Sequence, residues 1–244
     1  MIAENLKKVK SRIDSVKHEQ KVQLIAVSKA RSVTEIQEAV DAGQMHYGEN
    51  YLQESVDKID LFKEKNLVWH FIGPIQSNKT ASIAEKFDWV HSIERYKIAK
   101  RLSDQRPSKL AQLNVLLQVN IDREKTKSGF FVEDIEEIVP EIKKLPNISL
   151  RGFMCIPNPD NSADSFTKMS ELLLKYPDLD TLSMGMSADL ELAIEKGATF
   201  VRVGTDIFGE REYNWYTKEH TKYKLLMLDN IMKIRLFITG GTID

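Results

Sequence analysis

Three features that the sequence lacks narrow the class of protein. The 244 residues include one cysteine, Cys155, which excludes an intrachain disulfide and predicts a reducing, cytoplasmic setting. No segment approaches the roughly 20 apolar residues that span a bilayer, and no signal-peptide pattern follows Met1. Lys plus Arg total 35 and Asp plus Glu total 36, so the net charge of −1 gives no electrostatic reason to expect nucleic acid or a membrane as partner.

What the sequence does contain is a repeated alternation of strand and helix patterns. Eight short apolar runs, of which 22–27 and 114–119 are typical, predict buried strands, and each but the last is clearly followed by a helical pattern. An apolar stripe over residues 2–16 predicts one further helix at the N-terminus. Strict alternation predicts a parallel sheet, and eight units without a glycine-rich dinucleotide turn favour a single closed (β/α)8 TIM barrel, in the α/β class.

Polar and glycine residues stand where these predicted strands end. In a parallel barrel all such ends gather on one face, where barrel proteins build their sites. The segments concerned are Lys29, 48–50, 70–79, Asn120, 183–187 and 202–205.

Lys29 ends the first apolar run and allows two interpretations. A lysine at a strand end often extends its ammonium group to water while its stem packs on apolar surface. Alternatively, a partly apolar mouth lowers the pKa of the amine and makes it available to attack an aldehyde.

The seventh and eighth strand ends suit a phosphate group. Glycine lets backbone N–H groups approach an anion, Ser187 or Thr205 can add a hydroxyl donor, and a helix predicted to start near Ala188 would direct its N-terminus at the anion. The alternative is that Gly185 and Gly204 only make turns. A phosphate site together with a reactive lysine would describe a phosphorylated aldehyde cofactor.

Five segments carry a resemblance to a known family, namely 26–29, 47–50, 69–79, 182–189 and 201–205. In order and spacing they resemble the pyridoxal phosphate homeostasis proteins, and the resemblance extends over residues 1–213. It implies the barrel of the alanine racemase N-terminal domain with an extra N-terminal helix. Residues 1–213 are therefore predicted to form a PLP-binding TIM-barrel domain, followed by a C-terminal extension, 214–244.

The resemblance also implies a role for each residue of the site. Lys29 would hold pyridoxal 5′-phosphate (PLP) as a Schiff base. The phosphate would be held by Ser187, Gly204 and Thr205. Arg202 would face the pyridine nitrogen, while Asn50 and Met186 would line the ring pocket.

Three functions compete on this basis. The first is PLP binding for intracellular PLP homeostasis without substrate turnover, by a monomer with PLP-dependent apoenzymes as candidate partners. The second is a PLP-dependent amino-acid racemase, which the 40 residues after Gly204 disfavour because alanine racemases add a whole β-domain there. A weak racemase-type activity stays open. The third is an unrelated barrel enzyme that acts on a phosphorylated metabolite.

The remaining unusual residues are interpreted structurally. His70 is either a proton carrier near the cofactor or a hydrogen-bonded packing residue, and the packing interpretation is favoured for it as for His46 and His91. Cys155 is predicted to be a small buried hydrophobe. No His, Cys or carboxylate spacing predicts a metal site. Residues 232–244 resemble the opening strand and threonine loop of bacterial-type asparaginases, without the rest of such an enzyme, so no amidase activity is expected.

Overall fold

The computed structural model describes residues 1–16 and 18–210. The predicted domain end at residue 213 and the predicted extension 214–244 lie outside the described residues. Within the described part of the chain, no helix is both long and apolar enough to cross a membrane.

Eight parallel strands form a closed barrel in sequence order. They are β1 Gln23–Val27, β2 His46–Glu49, β3 Val68–Phe71, β4 Trp89–Ile93, β5 Leu113–Gln118, β6 Ile148–Met154, β7 Thr181–Ser183 and β8 Phe200–Val203. Pairing of β8 with β1, from Gln23 opposite Phe200 to Ala26 opposite Val203, closes the barrel. The predicted (β/α)8 fold is confirmed.

Nine α-helices are described. They are α1 Ile2–Ser15, α2 Val33–Asp41, α3 Leu52–Leu61, α4 Thr80–Lys86, α5 Tyr96–Gln105, α6 Ile135–Lys143, α7 Ser162–Leu174, α8 Leu190–Glu195 and α9 Thr205–Phe208. The sequence did not reveal α9, because four residues are too few to show a helical period. This short helix matters for the site, since it follows β8 directly.

The strands form where the chain is apolar on both faces. In β1 the residues Leu24 to Val27 are all buried, as expected for a strand between the barrel interior and the surrounding helices. The predicted N-terminal helix is confirmed: α1 buries a stripe made of Ile2, Leu6, Val9 and Ile13 and packs against α2, α8 and α9.

The start of α2 shows the capping box that the three-residue spacing of Ser32 and Glu35 predicts. The Ser32 hydroxyl accepts the N–H of Glu35 at 3.2 Å, and the Glu35 carboxylate accepts the N–H of Ser32 at 2.7 Å. Both otherwise unpaired N–H groups are therefore satisfied. The cap residue Ser32 stands three residues after Lys29 and so limits the length of the turn that carries the lysine.

Candidate functional site

Lys29 lies half-buried in a turn at the carboxyl end of β1. The next residue, Ala30, has a φ of 54°, in the left-handed region that residues other than glycine rarely enter. Such a backbone conformation persists only where the surrounding contacts hold it. The turn that presents Lys29 must therefore be fixed by its neighbours.

Three charged side chains are buried behind this turn, namely Glu49, Glu54 and Lys58. The Lys58 ammonium donates to the Ser28 carbonyl oxygen at 2.6 Å and to Glu49 Oε1 at 2.8 Å, and it also pairs with Glu54. The N–H of Ala30 donates to Glu54 Oε1 at 2.7 Å. The peptide groups on both sides of the Lys29 α-carbon are thus held by buried charges. We call Glu49, Glu54 and Lys58 the charged network.

The charged network is unbalanced, with two carboxyl groups around one ammonium. Burial raises the pKa of the Glu49 carboxyl, and the adjacent Lys58 ammonium opposes that rise. Glu49 Oε1 also accepts the Ser28 hydroxyl at 2.6 Å, whereas Glu49 Oε2 is buried without a hydrogen-bond partner among the described residues. Sequence reasoning missed this network, because Glu54 and Lys58 at i,i+4 look like an ordinary surface pair.

The predicted phosphate residues lie on two neighbouring loops. Ser187 stands half-buried in the turn between β7 and α8, and Gly204 stands between β8 and α9. Thr205 is the first residue of α9 and is exposed. The parallel pairing of β7 and β8, through Ser183 opposite Phe200, makes these two loops adjacent.

The loop after β7 depends on Gly185. Its φ is +89°, and a Cβ built there would lie 2.4 Å from the Cβ of Ala193, so no other residue fits without a shift. The predicted helix start near residue 188 is wrong by two residues, since α8 begins at Leu190. The cause is local: the Asp189 carboxylate accepts the N–H of Met186 at 2.6 Å and holds residues 186–189 in a turn. Met186 itself is 42% exposed.

The lysine turn and the phosphate loops meet at the closure of the barrel. Ala26 stands opposite Val203 in the β1–β8 ladder, so the chain leaves both strands at the same level. A Cβ built on Gly204 would lie 3.4 Å from Val27. The structure therefore brings Lys29, two residues after Val27, to the strand end beside Gly204.

Arg31 connects the lysine turn to the end of α9, the short helix that follows Gly204. Its guanidinium is buried and donates to the carbonyl oxygens of Phe208 and Glu210, both at 3.1 Å, and to that of Gly209. These carbonyls lie at the end of α9. Because Arg31 follows Lys29 by two residues, it fixes the distance between the lysine turn and α9.

Arg12 of α1 performs a similar task for the two phosphate loops. Its guanidinium contacts the Asp206 carboxylate at 2.6 Å, the Glu191 carboxylate at 2.7 Å and the Ser187 carbonyl oxygen at 2.9 Å. One side chain thereby connects the loop after β7 with α8 and α9. Through Arg12, the extra N-terminal helix therefore helps to hold the two phosphate loops in place.

Arg202 lies inside the barrel, 5% exposed. It donates through Nη1 to the Ser183 hydroxyl at 2.7 Å and through Nη2 to the Cys155 carbonyl at 3.0 Å. Burial lowers the pKa of this guanidinium, which still stays a cation because arginine does not deprotonate in proteins.

Cys155 is fully buried, as predicted, and burial raises the pKa of its thiol to about 12.

Asn50 follows β2, the strand that pairs with β1 through Val27 opposite Gly48. It lines a cavity of about 230 Å³ that reaches across the loops after β3 to β6 as far as Ile156. Gly73 lies so close that a Cβ there would be 2.4 Å from the Asn50 carbonyl oxygen. The side-chain oxygen of Asn50 is buried without a hydrogen-bond partner among the described residues. A bound molecule could satisfy that amide, whose oxygen and nitrogen can exchange places.

The closed barrel, with its candidate site at the carboxyl-terminal ends of the strands, assigns the chain to a class of proteins. Residues 1–212 match the family model described as the alanine racemase N-terminal domain. The alanine racemase of Corynebacterium glutamicum has the same fold, with a TM-score of 0.63 at 17% identity over 87% of this chain and 62% of that chain.

Two nearer relatives narrow the class. The chain is 50% identical to the pyridoxal phosphate homeostasis protein of Vibrio cholerae over 87% of this chain and 98% of that protein. The structure of PipY of Synechococcus elongatus with PLP bound superposes with a TM-score of 0.75 at 34% identity, covering 86% of this chain and all of PipY. The chain belongs to the pyridoxal phosphate homeostasis protein family.

Proposed function

We propose that this chain binds PLP at the carboxyl-terminal rim of the barrel, as a Schiff base on Lys29, and serves intracellular PLP homeostasis without substrate turnover. The observation that carries the proposal is the placement of the Lys29 turn beside Gly204 at the closure of the barrel. An amine and a set of backbone N–H groups at neighbouring strand ends suit the aldehyde and the phosphate of one small molecule.

Each predicted residue has a position that fits its proposed task. Ser187, Gly204 and Thr205 lie on the adjacent loops where the phosphate would bind. Arg202 uses two of its donors inside the barrel and has others left for the ring nitrogen. Asn50 offers a buried side-chain oxygen that the described protein does not pair, and Met186 is exposed on the loop after β7.

The absence of turnover is proposed from the chemistry of this rim. When bound, the cofactor supplies an aldehyde for an amine and a ring that withdraws electrons. A fixed cation at the ring nitrogen discourages protonation of that nitrogen and so weakens the ring as an electron sink. Racemisation needs an acid or base on each face of the substrate. We assign Lys29 to one face and assign no group to the other. PLP-dependent apoenzymes are the candidate recipients of the cofactor, and the protein would act as a cytoplasmic monomer.

An absorbance titration with PLP tests the binding proposal. The wild-type protein should develop the band of a Schiff base, and borohydride should remove that band while adding the mass of the reduced cofactor to Lys29. Lys29→Ala and Lys29→Arg should both lack the band. Lys79→Ala is the matched control, since Lys79 is an exposed lysine on the loop after β3. A band that survives in both Lys29 variants would refute the assignment.

A racemase assay separates homeostasis from turnover. Several L-amino acids are incubated with the PLP-loaded protein, and the D-enantiomer is followed by chiral chromatography. We expect no D-enantiomer above the level that the Lys29→Ala variant produces with free PLP. Sustained racemisation that depends on Lys29 would favour the racemase instead.

A further inference from the structure

A chain of hydrogen bonds connects Arg202 with three histidines across the barrel interior. Arg202 Nη1 donates to Ser183 Oγ at 2.7 Å, and Ser183 Oγ lies 2.8 Å from His91 Nδ1. His91 Nε2 lies 2.9 Å from His70 Nδ1, and His70 Nε2 lies 3.0 Å from His46 Nδ1. The participants stand on β8, β7, β4, β3 and β2 in that order. We call these five side chains the histidine chain.

The histidine chain runs from the proposed site to the opposite end of the barrel. Arg202 and Ser183 stand near the carboxyl ends of their strands, whereas His46 is the first residue of β2. His46 is half-buried and borders a cleft at the amino-terminal end, which Lys10 and Gln44 also line. Water in that cleft can therefore pair with the outer nitrogen of His46.

Burial favours the neutral form of all three rings in the folded protein, and it lowers the pKa of half-buried His46 as well. His70 and His91 are fully buried, and burial lowers the pKa of both well below the usual value. Neighbouring histidines lower the pKa of His70 further, and the Arg202 cation does the same for His91. The aromatic rings of Trp89 and Phe200 pack around them and offer no carboxylate that would favour protonation.

Neutrality leaves only two possible directions for the hydrogen bonds. A neutral imidazole has one N–H donor and one bare acceptor nitrogen, so neighbouring rings must all be oriented the same way. Either every ring carries its proton on Nε2, or every ring carries it on Nδ1. The contact distances alone do not distinguish these two tautomers.

Arg202 selects one direction, because a guanidinium can only donate. If His91 Nδ1 also donated to Ser183, the hydroxyl hydrogen of Ser183 could be accepted by neither of these partners and would be left buried, at a cost of about 1–3 kcal/mol. If Ser183 donates to His91 Nδ1, every group in the chain is paired. The proton of His91 then lies on Nε2, as do those of His70 and His46.

We propose that the histidine chain is a neutral, one-directional set of hydrogen bonds that orients the Arg202 guanidinium, with Ser183 and His91 as positioning residues for the cofactor ring. The direction of the hydrogen bonds depends only on this chain's own residues. The effect on the cofactor rests on the proposed function. Two separate measurements therefore test the two statements.

The first measurement is the nitrogen NMR spectrum of histidines labelled with ¹⁵N in cofactor-free protein near neutral pH. Protonated and bare ring nitrogens differ widely in chemical shift. We expect Nε2 protonated and Nδ1 bare in His70 and His91, with assignments from His70→Gln and His91→Gln. Protons on Nδ1, or doubly protonated rings, would overturn the proposal even if PLP binding is confirmed.

The second measurement compares three variants at the centre of the chain. Ser183→Ala and His91→Phe remove the link to Arg202, whereas His91→Gln keeps one acceptor and one donor. Loss of one hydrogen bond to a charged group should weaken PLP binding about tenfold, or about 1.4 kcal/mol, and should shift the absorbance maximum of the bound cofactor. His91→Gln should recover most of the affinity and the wild-type maximum.

Thermal unfolding of each variant separates loss of fold from loss of orientation. If Ser183→Ala and His91→Phe unfold cooperatively but bind PLP with wild-type affinity and an unchanged absorbance maximum, the positioning role is wrong. If both variants fail to fold, the wild-type nitrogen spectrum still decides the direction of the chain. Absence of the Schiff-base band in the wild type would refute the proposed function and leave the spectrum of the histidines as the test.

Discussion

The charged network beside Lys29 and the histidine chain behind Arg202 are both buried and polar, but they are built on opposite electrostatic principles. Lys58 holds two carboxyl groups and a backbone carbonyl in place by its charge. The histidines hold Arg202 through neutral rings with paired donors and acceptors. A buried charge stabilises its neighbours strongly but leaves a costly orphan when its partner is removed. Breaking a neutral chain of hydrogen bonds costs less free energy. Such a chain orients the side chain at its end, here Arg202, without adding a charge beside it.

The sharpest way to break this comparison is Lys58→Met, which removes the only cation that we assign to the charged network. Two carboxyl groups would remain buried around an apolar side chain, so the free energy of unfolding should fall by about 3–5 kcal/mol. PLP binding should fall with it, because the Ser28 carbonyl loses its donor. Urea unfolding and the PLP titration measure both effects.

Lys65→Met serves as the control for Lys58→Met, because Lys65 is exposed in the same part of the chain and should unfold like the wild type. Adding Glu54→Gln to Lys58→Met should recover part of the lost stability by removing one orphaned charge. A loss below about 1 kcal/mol in Lys58→Met would place the pair among surface ion pairs and contradict our account.

Acidification should weaken the histidine chain. Burial depresses the folded-state pKa of His70 and His91, so below about pH 6.5 the unfolded chain binds more protons than the folded one. That contribution to stability is complete above this pH and is lost as the pH falls. The expected slope is about 1.4 kcal/mol per pH unit for each histidine.

Urea unfolding at about pH 7.5 and about pH 5.5 measures this slope. His91→Gln should reduce it by one histidine's share. A slope that is the same in wild type and His91→Gln would mean that His91 is already protonated in the folded protein.

The charged network should respond to pH with the opposite sign. Burial raises the folded-state pKa of Glu49, so its contribution is complete below about pH 4.3 and is lost as the pH rises. Glu49→Gln should therefore gain stability relative to the wild type between about pH 4.3 and neutrality. The gain should be smaller than the histidine effect, because Lys58 counteracts the rise.

For Glu49→Gln, chemical unfolding across that range is the measurement, with exposed Glu64→Gln as the control that should show no such trend. A relative stability that falls with pH would show that Lys58, rather than burial, dominates the pKa of Glu49.

The smallest expected effect belongs to Arg12, whose ion pairs with Glu191 and Asp206 are about one-third exposed, with side-chain exposures of 34%, 42% and 33%. Arg12→Ala should lower the free energy of unfolding by about 1 kcal/mol, since solvent screens such pairs. PLP binding should weaken too, and its difference from the wild type should shrink at high salt, because salt screens ion pairs that are this exposed. Arg12→Lys, which keeps the charge, should recover part of the affinity. Identical binding by wild type and Arg12→Ala would show that the phosphate loops need no clamp.

The fold was largely readable from the sequence because its signals are local. The eight apolar runs correspond to the eight strands, and the capping box at Ser32 forms as its spacing predicts. Errors fall where local signals are weak: α9 is too short for a period, and α8 starts later because Asp189 closes a turn onto Met186.

The site was readable only in part. Lys29 and Gly204 were chosen from their places at strand ends, and barrel closure does bring those ends together. Arg12, Arg31, Glu54 and Lys58 were missed, because each acts through a contact with residues far away in sequence or with backbone atoms. The hydrophobic periodicity of the sequence carries no information about such contacts. The histidines were correctly expected to be packed and hydrogen-bonded, but nothing in the sequence joined them to one another.

By itself the sequence determined the alternation of strands and helices, the end of the barrel where polar residues collect, and the identity of the lysine at its first strand end. These follow from hydrophobic periodicity and backbone geometry, which act over a few residues. Only the tertiary structure decided that Lys58 lies under the lysine turn and that three histidines are connected in series, through Ser183, to Arg202. Those contacts join separate strands and helices, and their energies arise from burial away from water, which exists only once the barrel has closed.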